Sequence, residues 1–119
     1  MWVGHEGGVL CLEHEGVLVS GSADRTARLW SEHGQTDMIF AGHADDVTSL
    51  KIHEASKLFT GSDDHSTKAW SLATGACLAI YTPPCSVGVT CLSSDSLMVY
   101  AGFKDGTVCT FNLVNCSDD

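Results

Sequence analysis

Two eleven-residue stretches, SGSADRTARLW starting at Ser20 and TGSDDHSTKAW starting at Thr60, place a hydroxyl, an aspartate, a cation and a tryptophan at matching positions. A Gly-His pair precedes each, at Gly4-His5 and Gly42-His43. Ser, His and Asp together are the components of nucleophilic hydrolysis, in which a carboxylate orients a histidine and the histidine activates the hydroxyl. That chemistry asks for one constellation with an oxyanion hole beside the nucleophile. Here the set occurs twice, Thr60 stands where Ser20 stood, and no Gly-x-Ser-x-Gly elbow surrounds either hydroxyl. Repetition with an interchangeable hydroxyl favours a structural hydrogen-bond network, so no enzyme activity is expected.

Other chemistry has less to build on. None of the six histidines is paired at i+3 or i+4. His14, His33 and His53 are isolated and are expected to be solvated at strand ends, and His65 falls in a surface turn. The six cysteines form no C-x-x-C pair. Cys11, Cys91 and Cys109 sit in apolar runs, where a free thiol acts as a small buried hydrophobe, while Cys85 and Cys116 are the expected exposed thiols. There is no Gly-rich phosphate loop ending in Lys-Ser/Thr. Neither a metal nor a cofactor is expected.

The repetition belongs to a period that runs through the chain. Gly21, Gly61 and Gly102 are 40 and 41 residues apart, and Asp24, Asp64 and Asp105 keep those spacings. So do Trp30, Trp70 and Phe111, while the Gly-His pair returns after 38 residues. A fixed period of this length is the mark of a repeat architecture. Each unit is a series of short β-prone runs. In the first these are Val9–Leu12, Val17–Ser20, Thr26–Trp30 and Asp37–Phe40. In the second they are Val47–Leu50, Leu58–Thr60, Thr67–Trp70 and Cys77–Ile80. The third has Val89–Leu92, Met98–Ala101 and Thr107–Phe111. The repeated aspartates fall in the turn before the third run, where a carboxylate can accept hydrogen bonds from nearby amides. Helical periodicity is absent, so the fold class is all-β.

Gly-His followed by [ST]-G-S-x-D-x-[ST]-x-[KR]-x-W, twice in register, resembles the WD40 repeat family over roughly residues 4–112. The resemblance implies β-propeller blades, each a four-stranded antiparallel sheet facing a central channel. The units would be 1–40, 41–81 and a degenerate third, 82–119. It also implies a buried network in each blade: His5, Ser20, Asp24 and Trp30, then His43, Thr60, Asp64 and Trp70, with Asp105 as its remnant in the third. The chain departs from the family at Ser31 and Ser71, where an aspartate usually follows the tryptophan. Pro83-Pro84-Cys85 stands in place of the third Gly-His, and Phe111 in place of the third tryptophan.

The function implied is a non-catalytic scaffold that binds partner proteins or peptides through propeller loops. The matching loop positions are Glu6, Gly8, Ala23, Ala44, Asp45, Asp46, Asp63, Ser86 and Lys104. Asp45, Asp46 and Asp63 would suit a Lys/Arg-rich peptide. The alternative is the substrate-recognition part of a ubiquitin ligase or a similar multiprotein complex. Closed propellers have about 4 to 8 blades, so three units are expected to be a fragment or to self-associate through unpaired blade faces.

Composition agrees with a folded interaction module. Of 119 residues, 44% are hydrophobic and 18% charged, enough for one core. Fifteen acidic residues against six basic ones give a formal net charge of −9. That charge repels phosphate backbones and anionic membranes, so neither nucleic acid nor membrane is an expected partner. The start, MWVGHEGG, lacks the basic and apolar regions of a signal peptide, and an intracellular location is expected, cytoplasmic with the nucleus as the alternative.

Overall fold

The structure, a computed structural model, describes residues 1–83 and 87–113. Cys85, Ser86 and Cys116 lie outside the described residues. Among the described residues, eleven strands form three antiparallel sheets. The first contains β1 (Val9–His14), β2 (Leu18–Ser22), β3 (Thr26–Trp30) and β4 (Thr36–Ala41) in sequential order. The second repeats it with β5 (Val47–His53), β6 (Lys57–Ser62), β7 (Thr67–Ser71) and β8 (Cys77–Tyr81). Among the described residues the third has three strands, β9 (Val89–Ser94), β10 (Met98–Phe103) and β11 (Val108–Asn112).

Each central hairpin turns at the same place for the same reason. Arg25, His65 and Gly106 take φ of 73°, 76° and 88°, and their N–H groups bond back to the carbonyls of Ser22, Ser62 and Phe103. The aspartate just before accepts from an amide two residues on: Thr26 at 2.9 Å, Ser66 at 2.9 Å and Thr107 at 3.0 Å. The carboxylate closes a turn that strand residues would otherwise straighten.

The sheets stack face to face, with β1 beside β5 and β5 beside β9. Strand alternation decides which residues enter each seam. Val19, Ala27 and Phe40 of the first sheet meet Val47, Leu58 and Trp70 of the second. On the opposite face of the second sheet, Phe59 and Ala69 meet Val99 of the third.

Three expectations change here. His53 is buried in the seam between the second and third sheets. Its ring packs 5.8 Å from Phe59 and its Nδ1 lies 3.2 Å from Ser94 Oγ. The apolar pattern of β5 gave no sign of this, because Ser94 comes from the next repeat. Cys91 is exposed, while Cys11 packs against the first seam and Cys109 is half-buried. Cys91 faces away from the second sheet, and no described sheet lies beyond it. Asp105 is exposed and holds its own turn through Thr107. It joins no histidine–hydroxyl–tryptophan set, since Ala101 and Phe111 occupy those registers and Phe111 stacks on Tyr81 at 4.7 Å instead.

Candidate functional site

In the first sheet, β2 supplies Ser20, β3 supplies Trp30, the turn between them supplies Asp24, and the loop leading into β1 supplies His5. Their side chains meet. His5 Nδ1 is 2.8 Å from Asp24 Oδ2 and its Nε2 is 2.6 Å from Ser20 Oγ. Trp30 Nε1–H donates to the same Ser20 oxygen at 2.8 Å. The second sheet repeats the set: His43 Nδ1 to Asp64 Oδ2 at 2.9 Å, Nε2 to Thr60 Oγ1 at 2.6 Å, and Trp70 Nε1–H to Thr60 Oγ1 at 2.9 Å.

One proton arrangement satisfies every partner. The indole N–H donates to the hydroxyl oxygen, the hydroxyl donates to Nε2, and Nδ1–H donates to the carboxylate. This requires a neutral imidazole. Burial pushes His43 below the usual imidazole range, against the opposing hydrogen bond and charge of Asp64. Burial also works to raise Asp24 and Asp64. Hydrogen bonds outweigh it, those of Thr26, His5 and the Glu6 amide at one site and of Ser66, the Ala44 amide and His43 at the other. Both carboxyls are held below the usual carboxylate range.

An Asp–His–hydroxyl chain at these distances has the connectivity of a hydrolytic triad, but Ser20 is 2% exposed and Thr60 is 0% exposed. The indole N–H occupies one side of the oxygen, and its proton is committed to the histidine. Both hydroxyls are thus engaged on two sides and closed off from solvent. What the arrangement does is tie the leading loop to the turn. Asp24 accepts the Glu6 N–H at 3.1 Å and Asp64 the Ala44 N–H at 2.9 Å. Ala23 N–H, Asp63 N–H and Lys104 N–H donate to Gly8, Asp46 and Gly88 carbonyls, the same contact in all three sheets.

These ties bring loops and turns to one end of the stack. Glu6, Gly8 and Ala23 are exposed on the first sheet's loop and turn. Ala44 and Asp45 are exposed on the second, with Asp46 and Asp63 half-buried beside them. A carboxylate oxygen from each of Asp45, Asp46 and Asp63 lies within 4.8 Å of the others. Lys104, from the third sheet's turn, places Nζ 2.7 Å from Asp63 Oδ1. The hydrogen bond and charge of Asp63, with the charges of Asp45 and Asp46, hold its proton more tightly than usual.

Three residues, Thr26, Ser66 and Trp2, and the pairing of Lys104 with Asp63 escape a reading of the sequence alone. Thr26 and Ser66 add hydroxyl hydrogen bonds to Asp24 and Asp64, and the [ST] of the repeated pattern was their signal. Lys104 shares a turn register with Asp63, 41 residues on, which is the trace of their pairing. Trp2 left no trace; it stacks on Trp30 with centroids 6.1 Å apart, covering the first network where Phe40 covers the second at 5.6 Å from Trp70.

The WD40 family profile, described as WD domain, G-beta repeat, matches residues 1–31, 34–71 and 75–112. The chain belongs to the WD40 family. Its three sheets are WD40 propeller blades in an incomplete ring. It is 33% identical over 99 residues to a guanine nucleotide-binding protein subunit beta of Solanum tuberosum, covering 76% of this chain and 26% of the relative. A protein of the same name from Arabidopsis thaliana is 30% identical over 118 residues, covering 89% of this chain and 31% of the relative. The chain thus spans about a quarter to a third of the length of these relatives. Among solved structures, the computationally designed Ika4 protein superposes with a TM-score of 0.84 at 29% identity, covering 93% of this chain and 69% of that one. WD40 proteins are in general non-catalytic interaction scaffolds.

Proposed function

We propose that this WD40 chain binds partner proteins or peptides through the loop end of its blades, with the Asp45–Asp46–Asp63 group receiving a Lys/Arg-rich segment. The observation that carries the reading is that three carboxylates gather on a loop and turn that a buried network holds fixed. Fixed loops lose little conformational entropy on binding, which favours affinity. Lys104 already occupies part of this charge, so it acts as an internal competitor for a basic partner. The relatives named as G-protein beta subunits support the scaffold reading, since a subunit works within an assembly. The net charge of −9 fits a basic protein partner and disfavours nucleic acid and anionic membranes. Among the described residues no helix is long and apolar enough to cross a membrane. Free thiols at Cys11, Cys77, Cys91 and Cys109 suit the reducing intracellular setting we assign to it. The reading includes self-association through the blade faces at the two ends of the arc.

Fluorescence anisotropy with Lys/Arg-rich and Asp/Glu-rich peptides of equal length tests the binding site. The basic peptide should bind more tightly, and Lys104→Ala should tighten it further, by about threefold to tenfold. Equal affinity for both peptides, or weaker basic-peptide binding by Lys104→Ala, would count against the site.

A further inference from the structure

Each sheet carries one cross-strand row on the same face: Cys11–Gly21–Ala27, Ser49–Gly61–Thr67 and Cys91–Gly102–Val108. In the first two, the valine that opens the next sheet closes over the glycine. A Cβ on Gly21 would stand 2.8 Å from Val47 Cγ1, and one on Gly61 would stand 2.5 Å from Val89 Cγ1. Among the described residues, a Cβ on Gly102 would meet only Cys91 and Thr90 of its own sheet. No described residue of another sheet covers the third row, which forms a socket.

The opposite end of the arc carries the matching projection. Val47 and Val89 are 0% exposed, whereas Val9, at the same register of the first sheet, is 52% exposed. Leu12 is likewise exposed where Leu50 is buried. At the socket, Val108 is 68% exposed where Ala27 is 0% exposed and Thr67 fully buried. Thr48 shows how such a seam is sealed: its hydroxyl lies 3.2 Å from the Gly61 carbonyl and also reaches the Val89 carbonyl across the seam. Thr90, its counterpart, bonds Gly102 O at 3.2 Å, and no described strand lies beyond it to engage.

We propose that Val9 of one copy docks on the Cys91–Gly102–Val108 row of a second copy, head to tail, reproducing the seam the chain already contains twice. This deepens the self-association part of the function proposed above and rests on it. A head-to-tail contact closes into a ring when its rotation allows. Two copies of three sheets supply six, within the about four to eight that closed propellers use. Each copy carries a formal −9, so repulsion opposes the contact and added salt strengthens it.

Sedimentation velocity on the full 119-residue chain, over a concentration series at low and high salt, reads the association. Val9→Lys blocks the projection and Val108→Asp blocks the socket. Both positions are exposed, so each variant should keep the wild-type circular dichroism spectrum and melting curve at matched monomer concentration. Wild type should associate, and each variant alone should do so about a hundredfold more weakly or worse, because a charge would enter an apolar contact unpaired. An equimolar mixture of the variants should form a complex of one copy of each, since each retains one intact end. A monomeric wild type, variants that associate like wild type, or a mixture that stays monomeric would each overturn the proposal. Peptide binding by monomeric Val9→Lys reports separately on the loop-end site, so failure of one reading is not failure of the other.

Discussion

Asp64→Ala tests what the buried networks are for. Asp64 accepts from His43 Nδ1–H at 2.9 Å, from the Ala44 N–H at 2.9 Å, and from the N–H and hydroxyl of Ser66 at 2.9 and 2.6 Å. Ala44 is exposed and its amide can turn to water, but His43 and Ser66 are buried. A buried polar group left without its partner costs about 1–3 kcal/mol. Two such side chains give about 2–6 kcal/mol, and the low end is favoured because Ser66 Oγ already lies 3.4 Å from His43 Nδ1 and can partly replace the carboxylate. A loss of about 3 kcal/mol is a large share of the roughly 6–15 kcal/mol that holds a domain of this size. Urea titration followed by tryptophan fluorescence reads it as a lower midpoint at unchanged slope. Asp105→Ala is the control, since Asp105 is exposed and closes only its own turn. If Asp64→Ala shifts stability by less than about 0.5 kcal/mol, or if Asp105→Ala costs as much, the network is not what holds the blade.

Two further outcomes follow from the same geometry. Acid should destabilise the chain in two stages. Below about pH 6.5 the unfolded chain takes up a proton at His43 that the folded chain, with its lowered affinity, refuses, so stability starts to fall there. Below about pH 4 the carboxyls held below the usual range, Asp24 and Asp64, add a second loss as the unfolded carboxyls protonate first. A urea midpoint that stays level or rises from pH 7 to pH 4 would refute the assignment. His65→Gly should stabilise by about 0.5 kcal/mol, because φ of 76° strains a residue with a Cβ, while glycine's freer unfolded state returns part of the gain. Thermal unfolding checks this, and a drop in melting temperature of several degrees would contradict it.

Much of the fold could be read from the chain because the same local problem is solved three times. The turn aspartates, the strand hydroxyls and the tryptophans recur at fixed spacing, and their roles depend on distances within one sheet. Where a repeat is incomplete the reading failed in a predictable way. Asp105 matches by position, yet its hydroxyl and indole counterparts are Ala101 and Phe111, and Phe111 instead stacks on Tyr81 in the seam between the second and third sheets. His53 and Cys91 depart from the expectation for a complementary reason. Their burial depends on whether another sheet lies over them, and β5 and β9 have similar patterns whether or not one does.

The sequence by itself determined the strands, since short-range spacing and period-2 alternation carry that information, and its repeat aligned the eight network residues whose grouping the family resemblance implies. Only the tertiary structure decided which face of each sheet is covered. It brought Lys104 onto Asp63 between neighbouring turns, laid Trp2 over Trp30, buried Val47 and Val89, and left Val9 and Gly102 open at opposite ends of the arc. Those contacts join residues of different repeats, and a pattern that is the same in every repeat cannot say which copy has a neighbour.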